Sequence, residues 1–185
     1  MKKYILSLLI MGLVLNSEFL NAQSLNQFGV KAGVNMMGIH SKLDETSSTT
    51  NKTGFFVGVF MEFVRTVDFS IQPEINYSST DNLVNDNISL LHIPILLKYK
   101  LGNKFEIYGG PESQFLLKVS NTNIKEGGYK KFILAADLGA SFLISENLSL
   151  DARYNLALSK YIDYGYNSYK KLNCIQIGLA YKFDN

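Results

Sequence analysis

The chain has 185 residues, a formal net charge of +2, 46% hydrophobic and 18% charged residues, which suits one domain with a full interior and leaves too little for two. Lys and Arg are scattered rather than clustered, so no stripe offers a phosphate-binding surface and nucleic acid is excluded as a partner. Cys174 is the single cysteine, which excludes an internal disulfide framework and a cysteine zinc cluster and reads as a free, buried thiol.

At the N-terminus, Lys2 and Lys3 precede a twelve-residue apolar run from Tyr4 to Leu15, and a small-residue site follows at Ala22 in "LNAQ". This pattern predicts a secretory signal over residues 1–22. The run is shorter than the roughly 20 residues a spanning helix needs, and no cysteine follows the site to make it a lipoprotein signal. Removing the segment takes away Lys2, Lys3 and Glu18, lowers the formal charge from +2 to +1, and leaves residues 23–185 as one domain.

Beyond the signal, the dominant pattern is alternation, which gives a strand two unlike faces. In chain order the predicted strands are "FGVKAGVNMM" from Phe28, "GFFVGVFMEFV" from Gly54, "FSIQPEINYS" from Phe69, "LLHIPILLKYK" from Leu90, "FEIYGGPESQFLL" from Phe105, "FILAADLGASFLI" from Phe132, "LSLDARYNLAL" from Leu148 and "LNCIQIGLAYKF" from Leu172. In the seventh, Leu148, Leu150, Ala152, Tyr154 and Leu156 oppose Ser149, Asp151, Arg153 and Asn155. Eight such strands predict an all-β, antiparallel up-and-down barrel.

The connections alternate in length. Long polar segments are expected over His40–Thr53, Ser79–Ser89, Val119–Lys131 and Ser159–Lys171, and tight turns near Thr66, Leu101 and Ser145. Four long loops at one end and three short turns at the other is the pattern of a transmembrane barrel.

Alternation alone leaves two arrangements open: an apolar interior in water, as in a lipocalin-like periplasmic ligand binder, or an apolar exterior in lipid. Three features favour lipid. The polar face carries mixed charges, Lys31, Glu62, Glu74, Lys98, Glu112, Asp137, Asp151, Arg153 and Lys182, with Gly58, Gly139 and Gly178 among them. Such a set suits a narrow lumen where ions pair. Aromatic residues near the strand ends, including Phe55, Phe63, Phe69, Tyr77, Tyr99, Phe105, Tyr154, Tyr181 and Phe183, would form interfacial girdles. The signal directs the chain out of the cytoplasm.

The segments "FGVKAGVN", "GFFVGVFMEF", "FSIQPEINYS", "LHIPILLKYKLG", "YGGPESQFLL", "LSLDARYNLAL" and "IQIGLAYKF" together resemble the porin-like outer-membrane β-barrel proteins of Bacteroidetes-type bacteria. The resemblance implies an eight-stranded barrel similar to the outer membrane protein A and X types, in the cell outer membrane of a Gram-negative cell. Gln176, Gly178, Tyr181 and Phe183 resemble the C-terminal signal read by the barrel assembly machinery. That machinery, periplasmic chaperones and outer-membrane lipid are therefore the expected partners, and the barrel is expected to be a monomer.

Pro73, Pro94 and Pro111 lie inside predicted strands of a barrel without free edges, so bulges or breaks are expected there. No dinucleotide, P-loop or zinc-protease motif occurs, so neither cofactor nor metal is expected. "GGPE" at Gly109 sits in a strand and opens no helix. His40 with Ser41 lacks the orienting acid of a hydrolase, and His92 falls on the polar face as a lumen hydrogen-bonding group. Asn51 heads an "NKT" triplet. The loop tyrosines Tyr161, Tyr164, Tyr166 and Tyr169 read either as recognition area or as wall and headgroup residues. The expected function is non-enzymatic and structural or surface-interactive, with a polar, filled lumen. A narrow channel for ions or small solutes is the alternative.

Overall fold

A chain with unlike strand faces must give its apolar face to something other than water, and here the sheet closes on itself with that face outward. The computed structural model describes residues 26–43, 46–81, 87–119, 129–165 and 168–183; the predicted signal segment and Tyr166 lie outside the described residues. Nine strand segments run in order: β1 (Asn26–Leu43), β2 (Thr46–Val64), β3 (Phe69–Asp81), β4 (Ile88–Leu101), β5 (Phe105–Val119), β6 (Phe132–Leu143), β7 (Leu148–Ala157), β8 (Ile162–Gly165) and β9 (Ser168–Lys182). From β1 to β7 each pairs antiparallel with the next, β7 and β8 both pair with β9, and β1 returns to β9 from Gly29↔Lys182 to Lys42↔Tyr169. The short β8 and β7 pair with successive stretches of β9, so together they make one stave and the barrel has eight.

Outward side chains are apolar and inward ones largely polar. Along β3, Phe69 and Ile75 are exposed while Ser70, Gln72, Glu74, Asn76 and Ser78 are buried. Along β7, Leu150, Tyr154 and Leu156 are exposed while Asp151, Arg153 and Asn155 are buried. This arrangement is the inverse of a soluble barrel and overturns the lipocalin-like alternative, because water would face rows of leucine, isoleucine and phenylalanine. Aromatic rings gather at two levels. Phe28 stacks with Phe183 and Phe105 tilts against Phe142 at the short-turn end, while Phe55 meets Tyr77 and Phe115 meets Phe132 nearer the other. Ten residues separate Phe105 from Phe115 on β5. At about 3.3 Å per residue and a tilt near 40°, that is about 25 Å, the height of an apolar membrane band.

One sequence expectation fails for a definite reason, and the expectation at the prolines holds for breaks in the ladder but not for bulges. The first long connection is mostly strand: β1 and β2 stay paired up to Leu43↔Thr46. Its Ser and Thr residues stand beyond the apolar band, where both faces meet polar surroundings, so no alternation marks the strand. The prolines produce no register slip. Phe60↔Glu74 and Phe63↔Ile71 keep one register across Pro73, as do Pro73↔Ile95 and Asn76↔His92, and Pro94↔Glu112 and Leu97↔Gly109. The ladder skips pairs near each proline, where an amide donor is missing, and resumes unchanged. The irregularity in the β4–β5 ladder falls instead at Ser89/Leu90.

Close approach at the seam requires glycine. Gly33 pairs with Gly178 where β1 meets β9, and the buried ring of Phe56 lies over both; a Cβ on Gly178 would collide with the Ala32 carbonyl and sit 2.8 Å from the ring. Gly139 likewise leaves room for the Tyr108 ring.

Val59 lies between Val30 and Ile75, midway along β2 between Phe55 and Phe63. Val59→Arg is expected to cost about 2–4 kcal/mol of folding stability in phospholipid vesicles, whereas Ser48→Arg in the polar hairpin is expected to change it by about 0.5 kcal/mol or less. Denaturant titration followed by tryptophan-free far-UV dichroism checks this. Equal effects would contradict the lipid-facing assignment.

Candidate functional site in the barrel lumen

All nine charged residues assigned to the lumen from the sequence face inward, and all but the less deeply placed Lys182 are buried. They form three tiers. At the short-turn end, Glu62 lies 2.7 Å from Lys182 and 3.6 Å from Lys98, and Lys98 is 2.6 Å from Glu106. Ser70 donates to Glu62 at 2.6 Å and Ser141 to Glu106 at 3.2 Å.

The middle tier centres on Arg153. Its Nη1 and Nη2 donate to the two oxygens of Glu74 at 2.9 and 2.8 Å, a two-pronged pairing across the lumen, and Nη1 also reaches Asp137 at 3.3 Å. Lys31 bridges Glu74 at 3.2 Å and Asp151 at 3.3 Å. Three carboxylates thus meet two cations, and neutral donors serve the remainder: Tyr108 Oη donates to Asp151 at 2.7 Å and Asn155 to Asp137 at 2.7 Å. The Arg153 guanidinium lies 5.2 Å from the Tyr108 ring centre, an attraction between cation and π face. Above it, His92 Nδ1 is 2.5 Å from Glu112 and Nε2 is 2.8 Å from Ser78 Oγ, while Gln114 donates to Asn155 at 2.8 Å. An unpaired ion in such an interior costs several kcal/mol, which is why each of these carboxylates has a cationic or hydrogen-bonding partner.

Nearer the long-loop end the lumen changes character. Met37, Ile88, Leu90, Leu116, Ile133, Ala157, Tyr161, Ile162, Leu172 and Cys174 form one apolar cluster, each member at most 4% exposed, with Ile39, Val119 and Tyr129 packed against it. This cap closes the barrel above the ion pairs. Sequence reasoning missed it because the alternating pattern assigns a single character to a face along its whole length. The signal was there: "NMM", "LLH", "FLL" and "FIL" at that end of the strands are adjacent apolar pairs, the pattern of a sheet apolar on both sides. Glu106 and Tyr108 were also missed, although they share the parity of Glu112 on β5.

Tyr161, read from the sequence as a loop tyrosine, is buried in the cap and stacks on Tyr129 with ring centres 5.7 Å apart. Tyr169 is half-buried, with Lys160 Nζ 4.9 Å and Lys171 Nζ 6.0 Å from its ring centre. The Tyr164 side chain lies outside the described residues. Gln176 is buried beside the seam, Gly178 underlies Phe56, and Tyr181 and Phe183 are exposed in the girdle. Cys174 is a free, buried thiol.

An eight-stave barrel with an apolar girth, aromatic girdles and an ion-paired interior is a membrane protein of the transmembrane β-barrel class. The outer membrane protein beta-barrel domain matches residues 7–183, so the chain belongs to that family and resides in the outer membrane. Among solved structures, Ail, the attachment invasion locus protein of Yersinia pestis, is similar at 14% identity, over 85% of this chain and 99% of that chain, with a TM-score of 0.54. Ail in complex with the heparin analogue sucrose octasulfate aligns at 17% identity over 85% and 99%, with a TM-score of 0.50. At these identities the likeness is one of fold. No curated protein sequence matches the chain.

Arg153→Met leaves Glu74 and Asp137 without their guanidinium and is expected to destabilise the barrel by about 3–5 kcal/mol. The double variant Arg153→Met with Glu74→Gln is expected to lose less than the sum of the two single losses, because it removes one of the two carboxylates that the first deprives of the guanidinium. A double-mutant cycle by denaturant titration in vesicles checks the coupling, and additive losses would sink it.

Proposed function

We propose that this protein is a closed, monomeric, non-enzymatic outer-membrane barrel that acts as a structural and surface-interaction element, with its four longer connections outside the cell. The observation that carries this reading is the apolar cap seated over a paired ionic network. Side chains fill the bore of an eight-stranded barrel, and a cap made mostly of leucine, isoleucine and methionine gives water few hydrogen-bond partners. A function carried through the lumen would need both layers to part. A function carried at the long-loop end needs neither.

The short turns at the opposite end support the orientation, since barrels of this class keep short turns on the periplasmic side. Assembly follows from the last strand: Tyr181 and Phe183 present aromatic rings to lipid while Gln176 and Gly178 sit inward at the seam. The barrel assembly machinery, supplied by periplasmic chaperones, reads this strand. Among the described residues, His40 meets Thr49 Oγ1 at 3.2 Å and Ser47 Oγ at 3.5 Å.

Refolded residues 23–185 in planar bilayers are expected to show no single-channel current. Arg153→Ala and Glu74→Ala are expected to leave the bilayer silent too, because the cap closes above them. Cys174, as the single thiol, reports on the cap independently: a water-soluble maleimide is expected to label it only after denaturation. Reproducible current in the inserted protein, or rapid labelling in the folded state, would replace this reading with the channel.

A further inference from the structure

The outer wall holds a feature that neither the lumen nor the loops use. On β1, β2 and β9 the outward side chains form successive rows that change from apolar to cationic over a short height. Met36 and Ile175 pair across the seam, with Tyr154 beside Ile175 on β7. One row further, Gly38 lies between Asn51 and Asn173; the next row sets His40 between Thr49 and Lys171. Because Gly38 has no side chain, Met36, Tyr154, Ile175, His40, Asn51 and Asn173 border an open depression of about 310 Å³, and Lys171, the ladder partner of His40, stands just outside that lining. Lys160 and Lys171 meet over Tyr169 just above it.

We propose that this depression is a binding site for a single anionic membrane lipid, whose phosphate-bearing headgroup rests on the polar and cationic rows while its first acyl segment lies along Met36, Tyr154 and Ile175. Two observations commit the site to lipid. Its apolar floor is continuous with the membrane-facing wall, since Met36 and Ile175 are exposed on the same face as Val34 and Ile177. Its rim lies at headgroup depth, directly beyond the girdle pair Phe55 and Tyr77, where Lys171 complements a negative headgroup. An acyl chain alone would leave the Asn51 amide facing hydrocarbon, and a soluble anion would leave the floor uncovered.

The site rests on the lipid-facing wall and stands whether or not the lumen conducts. The test uses the full mature barrel in detergent micelles, with dioleoyl phosphatidylglycerol and dioleoyl phosphatidylcholine as probes of equal chain length, bound lipid being read by native mass spectrometry. The expected result is one retained phosphatidylglycerol, held roughly tenfold more tightly than phosphatidylcholine. Lys171→Gln should erase most of that preference and Lys171→Arg keep it. A Cβ at Gly38 meets no heavy atom closer than 3.4 Å, so Gly38→Trp fills the depression without backbone strain and should abolish retention of both lipids. Heat-dependent gel mobility verifies that each variant is folded, and the surface change Lys171→Gln stands alone should Gly38→Trp not fold. Equal retention of the two lipids, unchanged retention in Lys171→Gln, or displacement of lipid by soluble glycerol phosphate would overturn the proposal.

Discussion

Lipid offers a polypeptide no hydrogen-bond partner, so every amide and carbonyl of a spanning sheet must be paired within it. The pairing of β1 with β9 meets that demand, and the rest of the structure depends on it. Closure with eight staves sets a bore too narrow for water-filled space. Inward side chains from opposite walls therefore meet, and the glycines at 33 and 178 let the seam close beneath Phe56. Three prolines in neighbouring strands each withhold one donor, and the intact ladders on either side hold the register across them.

Closure also explains why the interior charges are arranged as they are. A buried ion pair contributes little net stability against a well-packed apolar pair, so the network around Arg153 and Glu74 is better understood as a device for specificity. A slip of one residue in any strand would turn Glu74, Lys98 or Arg153 into hydrocarbon and bring leucine and isoleucine into the bore. The correct register is the one in which each of these ions finds its partner, and the penalty for every other register is large. The apolar cap is built by a different principle at the other end, where strands β1, β4, β5 and β6 carry apolar residues on both faces.

The lumen holds paired ions below and packed apolar side chains above, and the proposed role is therefore placed at the long-loop end and the membrane-facing wall. In the zone at Gly38 the wall passes through apolar, amide and cationic rows in succession. Such a gradient matches the gradient of the bilayer itself, from acyl chain to glycerol to phosphate.

Much of the architecture was legible in the residues. Period-two alternation in "FSIQPEINYS" and "LSLDARYNLAL" determined strand type and which residues share a face, and the mixed charges on one face with aromatics on the other pointed to a barrel in lipid. These are local properties, repeated from strand to strand, and they need no knowledge of neighbours. What only the tertiary structure decided depends on which strands meet across the bore. Pairing of Arg153 with Glu74 joins residues 79 positions apart, and the cap gathers side chains from most staves of the barrel. The polar hairpin above the membrane band escaped notice because strand pairing there leaves no contrast between faces, and the prolines misled as to bulges because backbone geometry is set by the intact ladders around them. Alternation says which way a side chain points; closure alone decides what it meets.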